Sequence, residues 1–178
     1  VSTLLKTIMP QKNYGFTLVE LLVVISIIGI LAAVALPRLV DSHDNAHDAV
    51  VEGTGAAFAT AVILVRSQWV ANGTHTAVDE LEGFGLGNVA TSDDGWPTDA
   101  GQGTGANNSA VMASAERCVR IWGALLVANA PKASSSVSAE SDYLADSIGG
   151  NCRFSYRKNT AGSEIQYDAR TGEVITNL

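Results

Sequence analysis

At 178 residues, 47% hydrophobic but only 6% aromatic, the chain has room for one modest domain and a separate apolar segment rather than several cores. Its formal net charge is −7, from 18 acidic and 11 basic side chains, and an acidic chain of this kind argues against nucleic acid as its main partner. Two cysteines, Cys118 and Cys152, both fall in the C-terminal half. Behind an export signal they read as one disulfide in an oxidising compartment, with a pair of buried thiols as the alternative.

The N-terminal stretch KNYGFTLVELLVVISIIGILAAVALPR, residues 12–38, is apolar enough for a membrane yet contains Glu20. Phe16 to Leu36 gives about 21 residues, or roughly 30 Å of helix, which matches a bilayer core. Lys6 and Lys12 precede it, whereas Asp41, Asp44 and Asp48 follow Arg38. That asymmetry predicts a single pass with the N-terminus in the cytoplasm. Three fates are open to the segment. A secretory signal would be cut at Ala33-Val34-Ala35, and an anchor would stay whole. Cleavage after Gly15 would instead leave Phe16 as a new amino terminus with the apolar helix intact. It would also remove Lys6 and Lys12, taking the charge from −7 to −9.

The residues G-FTLVE followed by an apolar run closely resemble the class III signal of type IV pilins and type II secretion pseudopilins. The resemblance implies a prepilin peptidase that cuts between Gly15 and Phe16 and methylates the Phe16 amine. Glu20, Gly29 and Pro37 fall where that family carries its glutamate and its two helix-weakening residues. A short leader of the family's kind would begin at Met9. The new α-amino group at Phe16 is largely cationic at neutral pH. It is expected to pair with Glu20 of a neighbouring subunit once both leave the headgroup region for a filament core, fixing the stagger between subunits.

Gly29 and Pro37 weaken the helix, and Pro37 is expected to kink or open it. Beyond Pro37, Val51, Phe58, Val62, Val65 and Trp69 recur at helical spacing, and Asn72-Gly73 predicts a stop. His43 and His47 stand four apart on one helix face, as two metal ligands would. With Asp44 between them they imitate the H-E-x-x-H pattern, but the base would be a shorter Asp and only His75 remains as a third imidazole. A solvated charged face is the preferred reading, and this is not a protease site.

Residues 73–108 read as a long irregular connection. In SDDGWPTD, the acids Asp93, Asp94 and Asp99 surround a Gly-Trp-Pro turn and are weak candidates for Ca²⁺, off the EF-hand spacing. A plain turn with Trp96 tucked inward is preferred. From Ser109, a candidate N-cap, a second helix is expected to run to Pro131 with Cys118, Ile121, Trp122, Leu125 and Leu126 on its apolar face. Cys152, Phe154 and Tyr156 then alternate with Arg153, Ser155 and Arg157, Ile165 and Tyr167 continue the pattern, and DARTG turns into 173–176. These predict antiparallel strands with one apolar face, and a Cys118–Cys152 bridge tying helix to strand. Arg153, Arg157 and Lys158 form an outward basic stripe, read as a solvated face or as a contact for a neighbour's acidic stem.

The predicted fold is α+β: a long N-terminal helix whose C-terminal half packs on an antiparallel sheet, with a second short helix. Its parts are a leader at 1–15, a membrane or filament-core helix at 16–37, an amphipathic stem at 38–72 and a head at 73–178. Past the signal, AFATAVILVRSQWVANG (57–73), GWPT (95–98) and GNCRFSYRKN…IQYDARTGEV (150–174) look similar to the mannose-sensitive haemagglutinin (MSHA) pilus subgroup, in particular a minor pilin. That resemblance implies a low-abundance subunit of an adhesive type IV pilus, with other pilins, the prepilin peptidase and the inner-membrane assembly machinery as partners. It implies an inner-membrane single-pass precursor and then an extracellular filament. No cofactor is expected, and no nucleophile–base pair suggests an enzyme. The alternative is a type II secretion pseudopilin.

Overall fold

The structure is a computed structural model that describes residues 15–126, 129–138, 140–159 and 161–178, without the side chains of Val40 and Asp41. All but the last residue of the expected leader, Lys6 and Lys12 among them, lies outside the described residues. Helix α1 spans Leu18–Ala71 and passes through Gly29 and Pro37 without a break in its assignment. The described chain divides between Ser42 and His43 into two compact units.

The first unit, up to Ser42, is helix alone from Leu18 onward. Its apolar side chains stay exposed on every face: Phe16, Leu18, Ile25, Ile30, Leu36 and Leu39 all remain open. A helix that is hydrophobic all round belongs against lipid or against other helices.

In the second unit the remainder of α1 is amphipathic. Val51, Phe58, Val62, Val65 and Trp69 are all buried, as their spacing predicts. The helix ends as expected. Thr74 N–H donates to Trp69 O and Gly73 N–H to Val70 O, the paired bonds of a Schellman cap, with Gly73 at φ +70° in the left-handed position.

The region expected to be irregular carries a two-stranded antiparallel hairpin, β1 (Val89–Thr91) and β2 (Pro97–Ala100). Its turn is Ser92–Trp96, with Gly95 at φ +80°. Trp96 is half-buried rather than tucked away: the Arg66 guanidinium lies 4.4 Å from its ring centre.

The second helix, α2, covers Ala115–Leu125, shorter than predicted at both ends. Its N-cap is Ser114, whose Oγ accepts from Arg117 N–H, and not Ser109. The reason is Arg117. Only 4% exposed, its guanidinium donates to the carbonyls of Thr98, Asn107, Ser109 and Val111 at 2.7–3.2 Å. A helix starting at Ser109 would commit the Ser109 and Val111 carbonyls to its own ladder and strand a buried cation. Ser109 instead closes a local turn through Val111 N–H.

Five strands follow: β3 (Ala133–Ser134), β4 (Tyr143–Ile148), β5 (Asn151–Tyr156), β6 (Glu164–Asp168) and β7 (Glu173–Asn177), in sheet order β3-β4-β5-β6-β7. All neighbours are antiparallel except β3 with β4, which are parallel. The fold is therefore α+β with a mixed sheet, consistent with the type IV pilin fold. Cys152, Phe154 and Tyr156 point inward from β5, and Ile165 and Tyr167 from β6. The Phe58 ring sits 5.5 Å from Trp122 and 5.6 Å from both Phe154 and Tyr167, which joins α1, α2 and the sheet in one aromatic core. At Gly55 the helix comes closest to β6 and β7. A Cβ there would run into Thr176 Oγ1 and lie 3.6 Å from Ile165 Cγ1, so glycine is what permits this approach.

Cys118 of α2 and Cys152 of β5 form a disulfide, both fully buried, across a separation of 34 residues. A loop of that length stabilises by roughly 3–4 kcal/mol in the chain-entropy account. Cys118→Ser is therefore expected to lower the unfolding free energy, measured by urea denaturation, by about 3–4 kcal/mol, with a correspondingly lower midpoint. An unchanged midpoint would mean that the bridge contributes nothing.

Candidate assembly site

The first unit places its functional candidates at the very start of α1. Gly15 and Phe16 lie outside regular structure, and Phe16 is 83% exposed. The Gly15–Phe16 peptide bond thus sits just ahead of the helix. Thr17 is the N-cap. Its Oγ1 accepts from Glu20 N–H at 3.2 Å, while Glu20 Oε2 accepts from Thr17 N–H at 3.0 Å and from Thr17 Oγ1 at 2.8 Å. This is a reciprocal capping box. Its sequence signature is the T-x-x-E of TLVE, so Glu20 has a partner inside its own chain besides any it meets in a neighbour. Two of the donors left open at the helix start are satisfied within the chain, and Glu20 does not stand alone. Among the described residues, Glu20 Oε1 accepts no hydrogen bond, so the carboxylate can hold the box with one oxygen and take a second donor with the other.

Gly29 faces open space, with nothing within 4 Å of where a Cβ would be. Pro37 is carried inside the helix, and its missing N–H leaves one rung of the ladder unmade. Neither residue opens α1 in the isolated chain.

Two of the acids proposed for Ca²⁺, Asp93 and Asp99, already accept bonds from the chain itself. Asp93 Oδ1 accepts from Ala77 N–H at 2.9 Å, whereas at Asp94 it is the backbone carbonyl, not the carboxylate, that accepts from Arg66 Nε at 3.2 Å. Asp99 is buried and holds Arg120 in a two-pronged pair at 2.7 and 3.0 Å, with further bonds from the Ala100 and Asn107 amides. Among the described residues, no group of three or more His, Cys, Asp or Glu side chains is placed to hold a metal. Burial pushes the Asp99 carboxyl up, but the Arg120 hydrogen bond, the two amides and the Arg120 charge outweigh it and hold it below the ordinary aspartate range.

The residues of the basic stripe are likewise engaged within the head. Arg153 of β5 meets Asp146 of β4 at 3.2 Å and Glu164 of β6 at 3.9 Å, which are cross-strand pairs. Beyond the end of β5, Lys158 meets Asp142 at 3.8 Å, and Arg157 donates to Ser141 Oγ and to the Val137 carbonyl. His47 Nδ1 lies 2.8 Å from Tyr156 Oη, and the His43 and His47 ring centres are 4.5 Å apart.

Among comparisons with known proteins, the family match falls on the same N-terminal segment. The prokaryotic N-terminal methylation motif matches residues 10–36. The chain is 48% identical over 58 residues to a type IV narrow pilus major component of Thermus thermophilus, covering 33% of this chain and 50% of that one. It is 54% identical over 48 residues to a type IV major alpha-pilin of Moraxella bovis, covering 27% and 30% respectively. It is 43% identical over 73 residues to a fimbrial protein of Neisseria meningitidis serogroup A, covering 39% and 43%. The chain thus spans half or less of the length of these relatives. No solved structure matches it. The chain carries the methylation motif at residues 10–36 and is similar to type IV pilins over part of its length. These relatives are structural components of pili, and no catalytic family is indicated. Helix α1 is long and apolar enough near the N-terminus to cross a membrane, which fits a membrane-anchored pilin.

A carboxyl held low in the folded chain contributes stability that is complete above its unfolded value, about pH 4, and is lost as pH falls through the folded one. The wild-type Tm is therefore expected to drop more steeply below about pH 4 than that of Asp99→Asn. Equal slopes in a thermal melt series would remove Asp99 from the acid response.

Proposed function

We propose that the chain is a structural subunit of a type IV pilus, and more narrowly a minor subunit of an MSHA-like adhesive filament. Prepilin peptidase cuts between Gly15 and Phe16 and methylates the Phe16 amine. The precursor crosses the inner membrane once with its N-terminus in the cytoplasm, and the assembly machinery transfers it to the filament. There Phe16 to Leu36 bundles with the same segment of other pilins.

The observation that carries this reading is the capping box at the start of an apolar helix that nothing in its own unit covers. The box starts the helix at Thr17, one residue after the expected amine. Hydrolysis of the Gly15–Phe16 bond leaves Thr17 N–H and Oγ1 in place, so the box survives processing. Glu20 is thereby held with one oxygen engaged and the other open to the amine of a neighbouring Phe16. Such a pair is strongly penalised when broken in an apolar surround, which fixes the stagger. Gly29 and Pro37 are the points where the helix gives way most easily on repacking.

Two substitutions separate the box from the charge. Glu20→Gln keeps a capping partner at that position but loses the charge, and Glu20→Val loses both. Both are expected to insert, to be cleaved after Gly15 and to assemble poorly. Filaments of normal yield from Glu20→Gln would refute the charge pairing. A mature N-terminus upstream of Phe16, or at Leu36 after cleavage at Ala35, read by mass spectrometry, would refute the pilin reading itself. Immunogold labelling along sheared surface filaments, rather than in the periplasm alone, separates a pilus subunit from a type II secretion pseudopilin.

A further inference from the structure

We propose that His43 and His47 form an open two-imidazole clamp for a first-row divalent cation, Cu²⁺ above all, on the exposed face of α1. The proposal does not rest on the pilus reading.

Four residues advance an α-helix by about 6 Å and slightly more than one turn, so the two imidazoles stand one above the other. Their ring centres are 4.5 Å apart, edge to face. His43 is exposed and His47 half-buried. The two are not equivalent. His47 Nδ1 lies 2.8 Å from Tyr156 Oη, and Tyr156 is a buried residue at the end of β5, packed on Tyr143 at 5.1 Å between ring centres. The sheet therefore fixes one imidazole while the other remains able to turn.

That hydrogen bond is what a metal-binding histidine needs behind it. With Nε2 on the cation, Nδ1 keeps its proton and donates it to Tyr156 Oη, which sets the tautomer and the ring plane. Asp44 and Asp48 each follow a histidine directly. Among the described residues neither is in a salt bridge, so the local field favours a cation. No third His, Cys, Asp or Glu completes a closed site among the described residues. The geometry points to two nitrogen ligands with water in the remaining positions. Among divalent first-row ions, a nitrogen site of this kind favours Cu²⁺. A bound ion would clip His43 to His47 and lock that turn of α1.

The test uses the purified full chain in detergent, titrated with Cu²⁺ and followed by electron paramagnetic resonance. One copper per chain is expected, with a hyperfine pattern from two nitrogens. His43→Gln and His47→Gln should each weaken binding at least tenfold, and His75→Gln should leave it unchanged. Tyr156→Phe, checked for an unaltered near-ultraviolet circular dichroism spectrum, should weaken it several-fold and broaden the nitrogen pattern as the His47 ring loses its anchor. Copper retained by both the His43 and His47 variants, as binding at the N-terminal amine or at His75 would give, overturns the clamp. So does the absence of binding to the wild type. An unchanged affinity and spectrum in folded Tyr156→Phe overturns the positioning role of Tyr156.

Discussion

The unsatisfied apolar surface of the first unit is the constraint on which the rest depends. Between Phe16 and Leu36, fourteen large hydrophobic side chains stand largely exposed. Covering each is worth about 1.5–3 kcal/mol, so the segment as a whole carries roughly 20–40 kcal/mol of burial that its own unit does not supply. That sum exceeds the net stability of an ordinary domain. Water is therefore not a tolerable final environment for these residues, and lipid or other helices must supply one. The capping box makes sense against this background. In an apolar surround an open helix terminus has no water to satisfy its N–H groups. Thr17 and Glu20 satisfy two of them with groups only three residues apart, so the helix start is self-sufficient before any partner arrives.

The second unit solves the same problem of polar groups under cover by another route. Among the described residues no carboxylate bonds the buried Arg117 guanidinium directly, and four backbone carbonyls from the segment 98–111 solvate it instead. Burial lowers its pKa, and the nearby Asp99 charge raises it. Arg120, one turn along α2, takes the carboxylate of Asp99 itself. Two arginines three apart thus pin the hairpin and the loop after it to one helix, in a region with few side chains able to build a core. The disulfide ties the same helix to β5. A stretch rich in Gly, Asn and Thr is ordered here by charge-assisted hydrogen bonds and a covalent bridge where apolar area is scarce.

Legibility in the sequence follows the same division. Where burial is periodic, residue types announce the structure: the Val51 to Trp69 stripe, the inward Cys152, Phe154 and Tyr156, and the Gly73 stop all stand where their spacing puts them. Where order comes from individual polar bonds, periodicity is silent. Strand β4 hides its alternation because Ala145 fills an inward position between Tyr143 and Ser147. Strand β3 has two residues and pairs in parallel, which no local pattern announces. Ser109 and Ser114 are equally good caps by residue type, and only the carbonyl demand of Arg117 decides between them. The methylation motif is fully legible, since it is a string of residue types, whereas the bond from Glu20 to Thr17 is masked there because the apolar run draws the acid's role toward an outside partner. The outward basic residues read as a patch because residue types along β5 do not show that Asp146 of β4 and Glu164 of β6 face Arg153 across the sheet.

The pairing of that basic face bears on how copies of the chain can attract one another. Arg153 and Lys158 are already matched by Asp146, Glu164 and Asp142, so they offer little to a neighbour's acidic helix. Without residues 1–15 the net charge is −9, because Lys6 and Lys12 leave with them. Like-charged domains repel over about 8–10 Å at physiological salt, and less as salt rises. On the reading proposed above, attraction between subunits must then come mainly from the apolar segment, which salt does not screen. The heads would contribute spacing rather than cohesion. Salt would accordingly tighten contacts between heads while leaving the helical bundle, and the stagger set at Glu20, unchanged.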